Sequence, residues 1–254
     1  MGDQFLFSLI TGIFIGGVAG YLGTLMLQKR MALVSDALGH LALPGMGLAF
    51  LLGFDVSLGA FFFLALGILL IWFFEIKTSL PMEALVGVLF VTSLAIGFLI
   101  IPESELLHAL IGDISKVSFE MTIFSVVLAI FLFFVIRNIY RGMVLTHISE
   151  DLARNEGIKI KRQNLIYLLS VAAMVALGIK IVGSLLVGAL MIVPAATARN
   201  LSKTLRNYTF LASFFGIISV FFGALLFKIT NFPLGPLIIL VNSSLFIISI
   251  IFKK

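Results

Sequence analysis

The sequence predicts an all-α protein, a polytopic bundle of about eight or nine transmembrane helices. Hydrophobic residues fill 61% of its 254 positions and charged residues only 11%, whereas a soluble domain carries about 25% charged residues. Apolar stretches long enough to cross a bilayer core of about 30 Å follow one another along nearly the whole chain. They are continuous rather than alternating, which favours helices over a closed barrel. Residues 1–254 are therefore expected to form a single membrane domain.

Nine apolar stretches can be placed as spans, each about 20 residues long. The first is too long for a signal-peptide core and lacks a basic leader, so it is expected to remain as a span. The predicted spans are 5–27, 32–52, 56–75, 82–101, 119–137, 164–180, 182–198, 208–228 and 233–252.

The basic residues predict the orientation of these spans. With the loop after the first span placed in the cytoplasm, fourteen Lys and Arg residues fall on the inner side. Only Lys116, Lys180 and Lys228 fall on the outer side. The N-terminus is therefore expected outside and the C-terminus inside. The net charge of +5 lies in short loops between spans, so it does not indicate nucleic-acid binding.

Two polar segments interrupt the apolar pattern. The stretch from about Asn138 to Asn164 is predicted as the longest cytoplasmic loop. Between Pro102 and Ser118, leucines and isoleucines recur at helical spacing with acidic residues between them. This spacing predicts a short amphipathic helix at the outer surface.

Several classes of activity are excluded by what the chain does not contain. It has no cysteine, so disulfides and thiolate ligands are ruled out. It has no phosphate-binding loop of the G-x-x-x-x-G-K-[ST] type, so it is not expected to hydrolyse ATP. Neither an H-E-x-x-H nor a G-x-S-x-G motif is present, which disfavours an intramembrane protease or hydrolase.

Asp36 and His40 are the strongest candidates for a functional site. They lie four residues apart in the second predicted span and therefore share one helix face. His40 is expected about 15 Å deep in the membrane, where ionisable groups are costly and mark ion pathways. Pro44 cannot donate to the carbonyl of His40, so the helix is expected to break where the imidazole lies.

Imidazole and carboxylate are suitable ligands for zinc, manganese or iron. The simpler alternative is a histidine that hydrogen-bonds across a helix interface with Asp36 as its partner. One Asp and one His are too few for a complete site, but a dimer with the two copies facing each other supplies two of each. A gradient-driven secondary cation transporter also has carboxylates at mid-membrane, although the chain shows no inverted repeat.

Small residues in two spans are predicted to be helix contacts. Gly12, Gly16 and Gly20 form a face that permits close approach in the first span. Gly183, Gly188 and Ala189 are expected to act similarly in the seventh.

Four segments, in this order along the chain, resemble the permease subunits of the ABC-3 family of zinc, manganese and iron importers. Residues 36–45 are similar to the family's "DALSHAVLPG" stretch, with Gly39 where serine is usual. Residues 110–114 resemble "LFGDIL", and residues 149–157 an "E-x-A-x-x-x-G" element. Residues 183–200 resemble its "VGALLIIPAATAR" signature.

The resemblance implies an ATP-driven importer for a divalent transition metal, zinc or manganese with iron as a third candidate, in the plasma membrane of a prokaryote. It implies a type II-like permease fold, two copies of the chain, a separate ATPase subunit and an external metal-binding protein. Asp36 and His40 match the residues that meet the metal. No cofactor is implied for the chain itself.

The resemblance also implies a cytoplasmic coupling helix from about Pro194 to Asn207 that docks on the ATPase subunit, with Glu150 and Gly157 close by. Its small residues are expected to allow close approach and its basic residues to meet acidic rims. The alternative is a basic turn held by lipid headgroups. The implied coupling residues are Pro194, Ala195, Ala196, Thr197, Ala198, Arg199, Lys203, Arg206, Glu150 and Gly157.

Overall fold

The chain folds into a bundle of α-helices around a long first helix. The computed structural model describes residues 2–78, 80, 82–112 and 118–253, and within these ranges it contains twelve helices and no strand. The helices are α1 (Gly2–Gln28), α2 (Ala32–Leu41), α3 (Leu43–Leu52), α4 (Val56–Lys77), α5 (Met82–Ile100), α6 (Glu103–Ile111), α7 (Phe119–Ile148), α8 (Glu150–Asn155), α9 (Ile160–Val182), α10 (Val187–Leu201), α11 (Leu205–Thr230) and α12 (Leu234–Ile251). The predictions for Asp113, Ile114 and Lys116, and for the Lys180 side chain, lie outside the described residues.

The helices follow the predicted order of spans. Seven apolar stretches are long enough to cross a membrane by length and composition, and the region Val34–Leu52, made of α2 and α3, is one of them. The apolar helices α5 and α10 are shorter. At one end of the bundle the rings of Phe5 and Phe227 stack. At the other end Asn200 Nδ2 donates to Ser249 Oγ (2.9 Å). The start of α1 therefore lies at the same end of the bundle as the end of α11, and the ends of α10 and α12 lie together.

Helix α1 has its most extensive packing against α11. Gly16 and Gly216 face each other, so that a Cβ at Gly16 would lie 2.6 Å from the carbonyl oxygen of Gly216. A Cβ at Gly12 would lie 2.7 Å from Val220 Cγ1. A Cβ at Gly20 would overlap the carbonyl oxygen of Ala212. The predicted contact face of the first span is confirmed, and its partner is α11.

The second span is broken, as the proline predicts. Helix α2 ends at Leu41 and α3 begins at Leu43, with Pro44 in the first turn of α3. Pro44 has no N–H to donate to the carbonyl of His40. This carbonyl accepts the backbone N–H of Ala42 instead. The N–H of Met46 then donates to the carbonyl of Ala42 (3.0 Å), which starts the new helix. The break therefore lies within two residues of the imidazole.

The predicted cytoplasmic loop from Asn138 to Asn164 is wrong over most of its length. Helix α7 continues to Ile148, and α9 already begins at Ile160. Tyr140 lies in this extension, where its hydroxyl contacts Thr24 Oγ1 (3.0 Å) and accepts from Gln28 Nε2 (3.1 Å). Gly142 lies against the Gln163 side chain. These contacts with α1 and α9 keep α7 helical beyond the apolar stretch that predicted the span.

The predicted surface helix between Pro102 and Ser118 is confirmed as α6. Its end joins the segment before α10, because the N–H of Ser184 donates to the carbonyl of Ala109 (3.0 Å) and that of Leu185 to Leu110 (3.2 Å). Gly183 has φ +84°, and a side chain there would overlap the Leu110 carbonyl. Glycine is therefore required where this outer segment turns into α10.

Candidate functional site

Asp36 and His40 both lie on α2, one turn apart, but in different surroundings. Asp36 is exposed on the surface of the chain, whereas His40 is buried with 7% of its surface exposed. The helix that carries them packs against α5 and α10. An ionisable side chain on a membrane-embedded helix faces a cavity or another protein rather than lipid. The exposed Asp36 therefore indicates that this face of α2 is covered or wet in the assembled protein.

Close packing of α10 fixes the position of α2. A Cβ at Gly188 would lie 2.9 Å from the Cα of Asp36, so only glycine permits this approach. Ser35 Oγ donates to the carbonyl of Gly188 (3.2 Å). A Cβ at Gly39 would overlap the carbonyl oxygen of Ser184 and lie 3.2 Å from Val187 Cγ1. Position 39 therefore requires glycine, because the segment before α10 leaves no room for a side chain.

The imidazole of His40 has a nitrogen without a hydrogen-bond partner. Its ring meets that of Phe90 edge-on at 5.1 Å between centroids. Its Nδ1 is buried and has no hydrogen-bond partner. A buried polar atom without a partner is costly, and such an atom beside a carboxylate one turn away suits a site that an ion occupies only transiently. Among the described residues, no group of three or more His, Cys, Asp or Glu side chains lies close enough to hold a metal. Among these residues, α2 therefore offers a pair of candidate ligands, Asp36 and His40, without a third.

The residues predicted to couple the permease to an ATPase divide into two groups. Pro194 lies inside α10 rather than at the start of a helix, and α10 ends at Leu201. The buried members are Pro194, Ala195, Thr197 and Ala198, with Ala196 half-buried. Ala195 and Ala198 form a small core with Tyr208 and Ala212 of α11. The close approach that Ala195 and Ala198 permit within this chain is therefore to α11.

The basic members of the predicted coupling segment are available at the surface. Arg199, Lys203 and Arg206 are exposed. The Arg199 guanidinium lies 5.7 Å from the centre of the Tyr208 ring, which orients it. Thr204 caps α11 by accepting the N–H of Asn207 (3.3 Å). The α10–α11 junction therefore presents three cations, Arg199 near the end of α10, Lys203 in the link and Arg206 in the first turn of α11.

Glu150 is the first residue of the short helix α8, and Gly157 follows the end of this helix. Ser149 caps α8 by accepting the N–H of Leu152 (3.3 Å), and Glu150 pairs with Arg154 (3.4 Å) on its exposed face. Gly157 has φ +74°, a conformation that glycine adopts without strain. The two other histidines, His108 on α6 and His147 at the end of α7, are exposed and distant in sequence from Asp36. The sequence analysis missed Phe90 of α5, whose ring touches that of His40 and which belongs to no local motif. Ser184, in the segment before α10, places its carbonyl against Gly39.

Comparison with known proteins identifies the family. A family model described as the ABC 3 transport family matches residues 2–253. The chain belongs to the ABC 3 transport family. It is similar to the manganese import system permease protein ScaB of Streptococcus parasanguinis, with 29% identity over 95% of this chain and 88% of that one. It is also similar to the high-affinity zinc uptake system membrane protein ZnuB of Buchnera aphidicola, with 28% identity over 98% of both.

A solved structure shares the fold of this ABC 3 family chain. PsaBC from Streptococcus pneumoniae in complex with Fab superposes with a TM-score of 0.86 and 27% identity, over 98% of this chain and 95% of that one. The predicted all-α permease fold and the multi-pass location in a prokaryotic plasma membrane are confirmed. These findings favour an ATP-driven permease over the gradient-driven secondary transporter.

Proposed function

We propose that this chain is the membrane-spanning permease subunit of an ATP-driven importer for zinc or manganese, with iron as a third candidate. The observation that carries the proposal is the pair Asp36 and His40, beside a helix break, in a chain of the ABC 3 transport family. The named relatives divide between manganese and zinc. Carboxylate and imidazole accept both ions, so these two ligands do not select one of them.

The whole of residues 1–254 acts as one permease domain, and two copies form the transport path. Asp36 is exposed on one chain although its helix is membrane-embedded. A second copy related by two-fold symmetry covers this face and adds its own carboxylate and imidazole. Two aspartates and two histidines together supply four ligands, the number that completes a tetrahedral site.

Asp36 and His40 replace part of the hydration shell of the passing ion. The Asp36 carboxylate meets the ion from the exposed face of α2, and the unpaired imidazole nitrogen of His40 supplies a second ligand. Their hold on the ion is modest, because an ion that binds too tightly is not released. Alternating access opens this site first to an external metal-binding protein and then to the cytoplasm. The energy comes from a separate ATPase subunit, since the chain has no phosphate-binding loop.

Arg199, Lys203 and Arg206 meet the ATPase subunit, with Glu150 and Gly157 beside them. Three exposed cations around the short cytoplasmic link between α10 and α11 favour a partner with an acidic rim. Pro194, Ala195, Ala196, Thr197 and Ala198 contribute from behind this surface, because they hold the end of α10 against α11. Closure of the ATPase dimer thus moves α10, which packs directly on α2.

Metal uptake into proteoliposomes tests the proposed function. The chain is reconstituted with its ATPase subunit and binding protein, and zinc, manganese and iron are offered separately. We expect ATP-dependent accumulation of one of these ions and ATP hydrolysis that the ion stimulates. Liposomes with a non-hydrolysable ATP analogue serve as the control. Uptake that needs only a proton or sodium gradient would contradict the proposal.

Reversal of charge on the cytoplasmic link tests the coupling surface. Lys203→Glu combined with Arg206→Glu is expected to reduce co-purification of the ATPase subunit at least about tenfold, because like charges then face each other across the interface. The folded state should be unaffected, since both side chains are exposed. Lys253→Glu is the matched control, an exposed cation of the same side that lies outside the link. Equal loss in the control and the double variant would show that net charge, and not this link, governs assembly.

A further inference from the structure

A cavity of about 480 Å³ lies where the ends of α1 and α4 meet the start of α9. The cavity is separate from the candidate metal site and from the coupling surface, because none of its lining residues belongs to either. Its polar lining consists of two lysines, an asparagine, a tyrosine and the only tryptophan of the chain. Its apolar lining includes Ile68, Ile71, Leu165 and Leu168. The positive-inside distribution places it at the cytoplasmic face of the membrane.

Lys29 is the central cation of this cavity. It is half-buried, its Nζ donates to Asn164 Oδ1 (2.6 Å), and it lies 5.4 Å from the centre of the Tyr167 ring. Burial lowers the pKa of Lys29 to about 8, and the Glu150 carboxylate opposes this shift only in part. Glu150 is itself exposed and paired with Arg154. The ammonium group thus lies in a poorly solvated place where an additional anion would be favourable.

Further positive charge around the cavity favours an anionic ligand. Tyr167 lines the cavity but is only 1% exposed, and its hydroxyl is buried, so this hydroxyl is not open to a ligand in the cavity. Lys161 is exposed at the rim and adds a second cation. No side chain caps the start of α9, so the helix adds partial positive charge at the same place. The donors outnumber the acceptors, which is the composition of an anion site.

The open side of the cavity faces lipid. Trp72 is 46% exposed at its rim, and Leu69 and Phe73 of the same helix are exposed beside it. Tryptophan is enriched at the level of lipid headgroups, and the apolar wall suits the glycerol and first acyl carbons of a lipid. Basic pockets between membrane helices on the cytoplasmic side are typical binding places for anionic headgroups.

We propose that this cavity, formed by Lys29, Lys161, Asn164, Tyr167 and Trp72, binds the phosphate headgroup of an anionic phospholipid of the inner leaflet. The phosphate oxygens accept from the two ammonium groups. The lipid links the end of α1 to the start of α9 and so stabilises the cytoplasmic end of the bundle. The proposal does not depend on which ion is transported.

Fluorescence of Trp72 tests the site directly, because it is the only tryptophan. The full chain is reconstituted in mixtures of phosphatidylglycerol and phosphatidylcholine in which one of the two lipids carries bromine, a fluorescence quencher. Brominated phosphatidylglycerol is expected to quench more than its mole fraction predicts. The preference should fall roughly fivefold for each lysine removed, and it should weaken at high salt.

Lys29→Gln and Lys161→Gln are the test variants, and Lys253→Gln is the matched control. Lys161 is exposed, so Lys161→Gln keeps the test valid if Lys29→Gln disturbs packing near Asn164. Equal quenching by the two lipids in the wild type, or the same loss in the control, would overturn the proposal. Complete competition by glycerol phosphate alone would assign the cavity to a free anion instead. Loss of the preference on addition of the ATPase subunit would assign it to a protein interface instead.

Discussion

Asp36→Ala and His40→Ala are each expected to reduce ATP-dependent metal uptake at least about tenfold, since even groups that only support a metal ligand change affinity or activity by ~10–100-fold. Asp36→Ala deletes the exposed carboxylate of α2 that we propose meets the ion. Removal of His40 deletes the buried nitrogen that has no other partner. The measurement is initial uptake rate in proteoliposomes as a function of metal concentration.

His40→Leu separates the ligand role of the histidine from its role in packing. Leucine keeps most of the volume against Phe90, and it removes a buried nitrogen without a hydrogen bond. Replacing an unsatisfied polar group with an apolar one is neutral or stabilising. We therefore expect an unchanged or higher midpoint of thermal unfolding together with lost uptake. Glu103→Ala on α6, an exposed carboxylate outside the site, is the control and should transport normally. Normal uptake by His40→Leu would exclude the imidazole as a ligand.

Most of the fold could be predicted from the sequence because membrane helices carry their own signal. A bilayer requires long apolar stretches, and these appear in the sequence one after another. The break near His40 was also predictable, since Pro44 removes a specific hydrogen-bond donor from the helix. The pairing of Asp36 and His40 followed from helical spacing alone. Each of these features depends on residues close together in the chain.

Features that depend on distant residues were not predictable. The glycine face of α1 was recognised, but nothing in residues 12–20 indicates that its partner is α11, about 200 residues later. The extension of α7 to Ile148 depends on Thr24, Gln28 and Gln163, which belong to other helices. The alanines after Pro194 resemble a docking surface in the sequence, yet α11 covers two of them. The same small residues serve internal and external contacts, and only the folded chain distinguishes the two.

Gly20→Ala is expected to destabilise the protein strongly, because the added methyl group would overlap the carbonyl oxygen of Ala212 in α11. The obstacle is backbone, so the two helices must separate rather than a side chain rotate. Overpacking of this kind costs roughly 1–3 kcal/mol or more, which outweighs the ~1 kcal/mol that alanine gains over glycine within a helix. The measurement is the midpoint of thermal unfolding of the purified chain in detergent, with the yield of folded protein as a second readout.

Two other glycines turn this substitution into a graded series. A Cβ at Gly87 in α5 meets no atom within 4 Å, so Gly87→Ala should keep the helix-propensity gain of roughly 1 kcal/mol and raise the midpoint. A Cβ at Gly17 lies 3.1 Å from Cγ1 of Ile217, a side chain that is able to move. Gly17→Ala should therefore fall between the other two. The predicted order of stability is Gly87→Ala, then Gly17→Ala, then Gly20→Ala, with opposite signs at the ends. Similar midpoints for all three variants would mean that α1 and α11 are not held at backbone contact, and the central pairing of the bundle would have to be revised.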